Sequence, residues 1–459
     1  MKKKLLVILG AGSSTPLGMP SVSDLDQLMA QWGIEWATWR GTTDHFGKLW
    51  QSAEMYYKRG PTGPRPALNF EKVLGDMVAL AHWMEPPPWG DTLRQAVCGG
   101  APPPELIFQS QEPECEAAED LLADEGDLVK GERETIGESL DEVVPASEES
   151  PSGKYGAYIE LMDELSFLLE KLAQHMRALG QRLDPATGAA ERYAMLLRGL
   201  REKFDVGVYN LNYDVAALNA LPGAYTGFGE TGTFEPSVII ERSHWDFVYH
   251  LHGSVHHSLS QQFGDEICWR RSLDEHFFDG SEGRSNDKRS EGRSFPITTL
   301  IAGGFKLDQL LVEPFHLLYA TLVRHVYMAD AILIGGYGFG DVHVNRALKN
   351  RFSRGNSQLP VMILDLAGDR TDPMAFRYDL WAKQVCSAFG ADGHFFAEPG
   401  RLSPPVPGDL TARGAFEVDA PHRVAIWHGG FVGAERRLPG IIKWLGGAAD
   451  DVLIPDSGQ

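Results

Sequence analysis

Cysteine is scarce in this chain of 459 residues, and its four copies stand far apart at Cys98, Cys115, Cys268 and Cys386. None of them forms a Cys-x-x-Cys pair, so neither a zinc ribbon nor a disulfide framework is indicated. A reduced, cytoplasmic setting fits this scarcity. Long apolar runs are missing too, because no segment has the roughly 20 apolar residues of a membrane-spanning helix.

The chain also lacks a recognisable signal peptide. Lys2, Lys3 and Lys4 resemble the start of one, but only about five apolar residues follow before Gly10, and the apolar region of a signal peptide needs roughly 7–15.

Basic residues are fewer than acidic ones, and the net charge is −21. Such a surface repels phosphate and argues against a free-standing nucleic-acid binder.

Much of the acidity lies in one segment. Between Glu105 and Glu149, sixteen Asp and Glu residues stand against Lys130 and Arg133, a local net charge of −14. With few aromatic residues, residues 105–152 are typical of a solvated low-complexity insertion. A role for this insertion in control of the protein is a further hypothesis.

What the chain does contain is an alternation of apolar strands and helices, which is typical of a parallel α/β sheet. Strands are predicted at Leu5–Leu9, Val206–Tyr209, Val238–Glu241, Val248–Leu251, Ala331–Gly335, Val361–Leu364 and Val424–Trp427. Helices are predicted at Tyr155–Arg182, Leu310–Met328, from Val342 onward, and at Leu438–Leu445.

Four glycine-rich or polar segments follow predicted strands. They are Gly10-Ala11-Gly12-Ser13-Ser14, with Gly18-Met19-Pro20 after it; Tyr209-Asn210-Leu211-Asn212-Tyr213-Asp214; His250-Leu251-His252-Gly253-Ser254; and Gly335–Asp341, with His343 and Asn345 one turn later. Ligands of open α/β sheets bind beyond the carboxyl ends of the strands, and a glycine turn before a helix favours phosphate. The sequence therefore predicts one nucleotide site built from all four segments.

In this order the segments resemble the motifs of the sirtuin superfamily, most closely its bacterial SIR2-like branch. The sirtuin G-A-G-x-S turn and G-I-P are similar to the first segment, T-Q-N-I-D to the second, and the catalytic His before Gly to His252-Gly253. Lys306, Glu313-Pro314-Phe315 and the stretch to Asn345 are similar to the nucleotide loop of SIR2-like defence proteins. The resemblance covers about residues 1–30 and 200–365.

The resemblance implies an α/β fold: a Rossmann-like, doubly wound parallel sheet (the SIR2 fold) with a large, mostly helical insertion. Residues 1–30 and 200–400 would form the NAD-binding catalytic domain. Residues 31–199 would form the helical insertion, which contains the acidic segment 105–152. Residues 401–459 would form a C-terminal strand–helix extension.

Two departures from the sirtuin pattern bear on the activity. Sirtuin deacylases carry two C-x-x-C pairs after the catalytic His, where this chain has Cys268 alone, and Ser21-Val22-Ser23-Asp24 replaces their D-F-R-S segment. That zinc module helps to form the acyl-lysine cleft, so no zinc is expected here and protein deacylation is disfavoured. The resemblance instead implies hydrolysis of NAD to nicotinamide and ADP-ribose.

The resemblance also implies roles for single residues. Cleavage of the nicotinamide–ribose bond builds positive charge on the ribose, which Asp214 would stabilise. Asn212 would hold a ribose hydroxyl or the attacking water, and His252 would be the general base. The implied NAD-binding residues are Gly10, Ala11, Gly12, Ser13, Ser14 and Pro20 at the first turn, and Gly336, Gly338, Asp341 and Asn345 near the adenosine half.

Simpler interpretations of these residues stay open. Asn212 and Asp214 are residue types that cap helices after strands, and His252 is compatible with a buried core histidine. His343 and Asn345 are compatible with packing at a helix start. The histidines His250, His252, His256 and His257 would also suit a metal site, although no acidic or cysteine partner stands at a telling spacing.

Three other functions remain alternatives to an NAD glycohydrolase: an NAD-dependent protein deacylase, an ADP-ribosyltransferase, and a nucleotide-sensing scaffold subunit without turnover. By resemblance, the hydrolase would be a regulated, NAD-depleting effector of bacterial antiphage defence in the cytoplasm. It would act as a homo-oligomer or with a partner defence protein, such as a HerA-type ATPase or a short Argonaute. Neither a membrane nor direct nucleic-acid binding is expected.

Overall fold

A computed structural model describes most of the chain outside the acidic segment. The described residues are 2–59, 68–84, 152–260, 266–279, 289–290, 293–294, 298–303, 309–310, 312–353, 358–366, 380–390, 414 and 416–453. Cys98, Cys115, Lys306 and residues 105–151 therefore lie outside the described residues.

A seven-stranded sheet organises the chain. In chain order its strands are β1 (Lys3–Leu9), β2 (Phe204–Asn210), β3 (Asp246–His250), β8 (Ala331–Gly335), β9 (Val361–Leu364), β10 (Glu417–Asp419) and β11 (Val424–Trp427). Two small hairpins lie between β3 and β8: β4 (His257–Leu259) with β5 (Ile267–Trp269), and β6 (Arg289–Ser290) with β7 (Arg293–Ser294). In space the order is β10-β11-β9-β8-β1-β2-β3. Every neighbouring pair is parallel except β10 and β11.

Helices cover both faces of the sheet, which makes it a Rossmann-like, doubly wound sheet of the predicted class. One face packs on α5 (Gly188–Lys203), α6 (Ala216–Ala220) and α11 (Leu438–Leu445). The other packs on α8 (Phe315–Met328), α9 (Val342–Ser353) and α10 (Leu380–Phe389). The residues Leu5 to Leu9 are fully buried and alternate between the two cores, as expected for a parallel strand covered on both faces.

Four further helices form a separate core beside the sheet. They are α1 (Val22–Arg40), α2 (His45–Arg59), α3 (Phe70–Met84) and α4 (Ser152–Arg182). Their core includes Tyr213, Val215 and Val255, which come from the segments after β2 and β3. The helical insertion therefore packs directly against the segments that carry two of the four motifs.

The segment that replaces the sirtuin D-F-R-S motif starts α1. The Ser21 side chain accepts the Asp24 backbone N–H at 3.2 Å, and Asp24 accepts the Ser21 backbone N–H at 2.8 Å. This reciprocal pair is a capping box, which satisfies two backbone donors at the helix start. Hydrogen bonds from Ser21 lower the pKa of the exposed Asp24 carboxyl.

One predicted strand is wrong. Val238–Glu241 belongs to a short helix, α7 (Pro236–Glu241), in which Ile239 is fully buried while Val238 and Ile240 are exposed. Proline is well suited to the first position of a helix, where its missing N–H costs nothing. The β-branched run Val-Ile-Ile favours a strand locally, but a helix that starts at the proline forms instead.

Among the described residues, no helix combines the length and apolar character that a membrane crossing requires.

Candidate functional site

The four predicted segments follow four strands that are neighbours in the sheet, β8, β1, β2 and β3. The parallel ladder continues beyond the strand ends: Gly10 N–H donates to Gly335 O, Leu211 N–H to Leu9 O, and Leu251 N–H to Asn210 O, each at 2.9 Å. Adjacent strands lie about 4.8 Å apart. The structure thus brings all four segments to one edge of the sheet.

The first and last of these segments are held together backbone to backbone. Gly12 N–H donates to Gly336 O at 2.9 Å. A Cβ on Gly10 would lie 2.7 Å from Gly336 O, and a Cβ on Gly336, whose φ is +58°, would lie 2.0 Å from Ser13 N. These glycines are required by the contact between two loops, whereas a Cβ on Gly338 would meet nothing within 4 Å.

The segment after β1 folds into two short 3₁₀ turns, Ala11–Ser13 and Thr15–Leu17. The buried Ser13 hydroxyl donates to Gly10 O at 2.8 Å, and Ser14, also buried, lies 3.4 Å from Ala11 O. Pro20 directly precedes Ser21, the N-cap of α1. The hydroxyl groups of Ser13 and Ser14 therefore stabilise the turn after β1 through bonds to its backbone carbonyl oxygens.

Asn212 ties the segment after β2 to the turn after β1. Its buried side-chain amide donates to Gly10 O at 3.0 Å, to Ser14 Oγ at 3.1 Å and to Ser13 Oγ at 3.3 Å. Its backbone N–H donates to Asn210 Oδ1 at 3.1 Å. No described residue bonds the Asn212 side-chain oxygen, which leaves that atom to a ligand.

Asp214 is 1% exposed and lies beside the start of α6. Its carboxylate accepts the Ala216 N–H at 2.9 Å in an Asx turn just before α6, whose N-cap is Val215. Burial raises the pKa of the Asp214 carboxyl, against hydrogen bonds from Ser14 and Ala216 that lower it. Water would therefore screen only weakly the attraction between this buried carboxylate and a positive charge that develops beside it.

His252 follows β3 and is 7% exposed. Its Nε2 lies 2.9 Å from the hydroxyl of Tyr319 and 2.9 Å from Oδ2 of Asp341. Tyr319 belongs to α8, and Asp341 directly precedes α9. The imidazole is therefore held by two polar groups that come from two different segments of the chain.

The loop after β8 is held by its own side chains. The Tyr337 hydroxyl accepts the Asp341 N–H at 3.1 Å and lies 2.9 Å from Asn345 Oδ1, and Asn345 Nδ2 donates to Phe339 O at 2.7 Å. Phe339 has a φ of +53°, which is uncommon for a residue with a side chain. Asp341 thus contacts His252, and Asn345 stabilises the loop; their contacts with NAD stay predictions.

The other histidines near His252 serve separate partners. His250 donates through Nε2 to Asp214 O at 3.3 Å, and burial lowers its pKa to about 3. His256 bonds Arg270 O at 2.7 Å and stacks on Trp269, while burial lowers the pKa of His257 to about 3. In the part of the chain that the structure describes, no group of three or more His, Cys, Asp or Glu is arranged to hold a metal ion.

Comparison with known proteins agrees with the motifs. Residues 206–385 match the family model described as SIR2-like domain. This part of the chain is therefore similar to a SIR2-like domain. The match supports an NAD-related function of the SIR2 type.

Solved structures include a mutant Sir2 homologue in complex with 2′-O-acetyl-ADP-ribose, with a TM-score of 0.31 and 13% identity. The match covers 79% of this chain and 80% of that one. A search of curated proteins found no match.

Two tyrosines within residues 206–385 contact the site but were not predicted as site residues from the sequence. Tyr319 contacts His252 and Asp341, and Tyr337 holds the loop around Asp341. Tyr337 lies inside a predicted motif, but Tyr319 is one of three Phe and Tyr residues in α8 and belongs to no motif. No local signal marks Tyr319, because only the packing of α8 against the sheet brings it to His252.

Proposed function

We propose that this protein is an NAD glycohydrolase. Water supplies the oxygen that bonds to C1′ of the nicotinamide ribose, the bond from C1′ to the nicotinamide nitrogen breaks, and its electron pair leaves with nicotinamide. The products are nicotinamide, ADP-ribose and a proton. The observation that carries the proposal is the convergence of Gly10, Asn212, Asp214 and His252 at one sheet edge in a SIR2-like domain.

In this proposal the chain's residues divide the chemistry among them. His252 accepts the proton of the attacking water, a role suited to a neutral imidazole. The side-chain oxygen of Asn212 accepts a hydrogen bond from a ribose hydroxyl or from that water. The buried Asp214 carboxylate stabilises the positive charge that develops on the ribose, as carboxylates do in other glycosidic cleavages. The turn after β1 and the loop after β8 hold the rest of NAD.

The segment after His252 supports hydrolysis over deacylation. There the described residues form the hairpin β4–β5, in which Cys268 Sγ bonds Ser258 O at 3.3 Å and Trp269 stacks on His256. Burial raises the pKa of the Cys268 thiol. Packing of side chains, with no pair of cysteines, stabilises this hairpin, so the residues that shape an acyl-lysine cleft in sirtuins have no counterpart in it.

The test is an assay in which purified protein is incubated with NAD and with candidate triggers, and nicotinamide and ADP-ribose are then separated by chromatography. Equal amounts of the two products are expected, and His252→Ala should remove most of the activity while His244→Ala, an exposed histidine outside the site, should not. Adding an acyl-lysine peptide should not yield O-acyl-ADP-ribose, and label from adenine-labelled NAD should not stay on protein. Either of those products would replace hydrolysis with the corresponding alternative function.

The sequence resemblance supports a wider role for this activity, in which depletion of NAD halts an infected bacterial cell. Such an enzyme must be inactive until it is triggered, so we expect control by assembly into a homo-oligomer or by a partner such as a HerA-type ATPase or a short Argonaute. The check is phage challenge of cells that express the chain, with cellular NAD measured before and after infection. Protection that persists in His252→Ala would contradict an NAD-based mechanism.

A further inference from the structure

The hydrogen bonds of His252 define which ring nitrogen carries its proton. Nε2 lies 2.9 Å from Asp341 Oδ2, and both side chains are buried. An ionised carboxylate can only accept a hydrogen bond, so the proton of this contact must sit on Nε2. In the neutral ring, Nδ1 then holds the lone pair.

Tyr319 agrees with this assignment. Its hydroxyl lies 2.9 Å from His252 Nε2 and 3.2 Å from Asp341 Oδ2. Since Nε2 already carries a proton, the hydroxyl donates to the carboxylate, and its oxygen receives a share of the Nε2–H. With Asp341 ionised, these contacts among the three groups are satisfied in only one tautomer of the imidazole.

The carboxylate of Asp341 is itself held in place. Its second oxygen, Oδ1, accepts the backbone N–H of His343 at 2.9 Å and of Val344 at 3.1 Å, in the first turn of α9. The backbone N–H of Asp341 donates to the Tyr337 hydroxyl at 3.1 Å. A helix start interacts favourably with a carboxylate, and these bonds fix the position of Asp341.

We propose that Asp341 is a positioning residue that locks His252 in the Nε2–H tautomer, so that Nδ1 is the nitrogen that accepts the proton from water. The inference rests on the proposed function for its catalytic consequence, while the tautomer is a property of the protein without substrate. Tyr319 supports the same arrangement from α8. The design is the one by which a carboxylate orients an imidazole in hydrolytic triads, with the two ring nitrogens exchanged.

The first experiment measures the tautomer directly. In protein labelled with ¹⁵N-histidine and held at about pH 8, where an ordinary histidine is neutral, two-dimensional NMR distinguishes Nε2–H from Nδ1–H rings. The His252 signals are assigned by their loss in His252→Ala. We expect a protonated Nε2 and an unprotonated Nδ1. A protonated Nδ1 in the wild-type protein would overturn the proposal, whatever the activity.

The second experiment replaces the carboxylate by an amide. Asp341→Asn keeps an oxygen for the His343 and Val344 N–H groups, and its new NH₂ group can donate to Nε2, which favours the wrong tautomer. The change from carboxylate to amide lowers kcat by about 10⁴-fold in a serine-protease triad, and we expect a loss of roughly 10²- to 10⁴-fold here with KM for NAD within about threefold of wild type. In the NMR spectrum the His252 proton should move to Nδ1.

Two controls separate the possible failures. Asp330→Asn, an exposed carboxylate that accepts the Lys4 N–H at 2.8 Å, should leave both kcat and the His252 signals unchanged. Tyr319→Phe should lower kcat less than Asp341→Asn and retain the tautomer. If wild-type protein never hydrolyses NAD, the proposed function fails while the NMR result still decides the tautomer. An Asp341→Asn variant with wild-type kcat would reject the positioning role alone.

Discussion

The side-chain amide of Asn212 donates a hydrogen bond to the carbonyl of Gly10 at 3.0 Å, across 202 residues of sequence. The same amide nitrogen also contacts the hydroxyls of Ser13 and Ser14. One side chain therefore both offers an oxygen to the proposed substrate and holds the turn that would bind the pyrophosphate. Asn212 thus combines a structural role in the turn after β1 with the chemical role proposed for its side-chain oxygen.

Asn212→Ala should consequently lower stability as well as activity. The Gly10 carbonyl and the two hydroxyls lose a shared donor but keep their bonds within the turn, and loss of a typical hydrogen bond costs about 0.5–1.5 kcal/mol. We expect that decrease in the free energy of unfolding, measured by urea denaturation, together with loss of NAD hydrolysis. Asn219→Ala, an exposed position on α6, is the matched control and should stay near wild type. An unchanged unfolding curve for Asn212→Ala would show that the amide does not support the turn.

Gly336→Ala should destabilise the contact between the loops after β1 and β8. The added Cβ would lie 2.0 Å from Ser13 N in a backbone whose φ is +58°, so one of the two loops must move. We expect a loss of about 3 kcal/mol in the free energy of unfolding and a strongly reduced NAD affinity. Gly340→Ala, where a Cβ meets nothing within 4 Å, should cost little. Similar unfolding midpoints for the two variants would show that the close approach is not required.

The sequence predicted the sheet well because its central strands are nearly uninterrupted apolar runs. Ala331–Gly335, Val361–Leu364 and Val424–Trp427 are strands with those bounds. Such runs are buried on both faces, and no alternative structure of that length buries them equally well. The failure at Val238–Glu241 shows the limit, because three β-branched residues behind a proline suit a short helix equally well.

The candidate site was predictable only in part. Motifs at strand ends and the parallel order predicted that Gly10, Asn212 and His252 share one edge of the sheet. The pairing of His252 with Asp341 was not predictable, because Asp341 reaches it only through the path of the loop after β8. Tyr319 comes from a helix with no motif at all, and only the three-dimensional packing reveals it.

Glu164 should be a major contributor to the stability of the helical insertion. This fully buried carboxylate accepts the backbone N–H of His45 at 3.1 Å and of Phe46 at 3.0 Å, and lies 2.8 Å from His45 Nδ1. It thereby joins the start of α2 to α4. Glu164→Ala leaves these donors buried without their partner, and removal of one member of a buried pair costs about 3–5 kcal/mol.

The control for Glu164 lies one turn earlier on the same helix. Glu160 accepts the Thr42 hydroxyl at the surface, so Glu160→Ala should cost less than about 1 kcal/mol. Thermal denaturation followed by far-UV circular dichroism compares the two variants. Equal melting temperatures would mean that α2 is held by apolar contacts, such as those of the buried Phe46, and not by the carboxylate.

Asp214→Asn should lower the activity and raise the stability of the protein. The asparagine still accepts the Ala216 N–H, so the Asx turn before α6 is retained, but the cost of burying a charge disappears. Loss of the negative charge near the ribose should lower kcat for NAD hydrolysis by roughly 10²- to 10³-fold. The melting temperature at neutral pH should rise. Asp184→Asn alters an exposed carboxylate that forms the same kind of turn, through the Ala186 N–H at 2.8 Å, and should change neither quantity.

The gain in free energy of unfolding expected for Asp214→Asn should depend on pH. Because burial raises the pKa of Asp214 above its ordinary value of 3.8, the folded protein binds this proton more tightly than the unfolded chain does. The resulting stabilisation is complete below the unfolded-state pKa and is lost as the pH rises through the folded-state pKa. The advantage of Asp214→Asn over wild type in free energy of unfolding should therefore grow from pH 3.8 upward and then level off. An advantage that shrinks with rising pH would show that the folded protein stabilises the charged carboxylate.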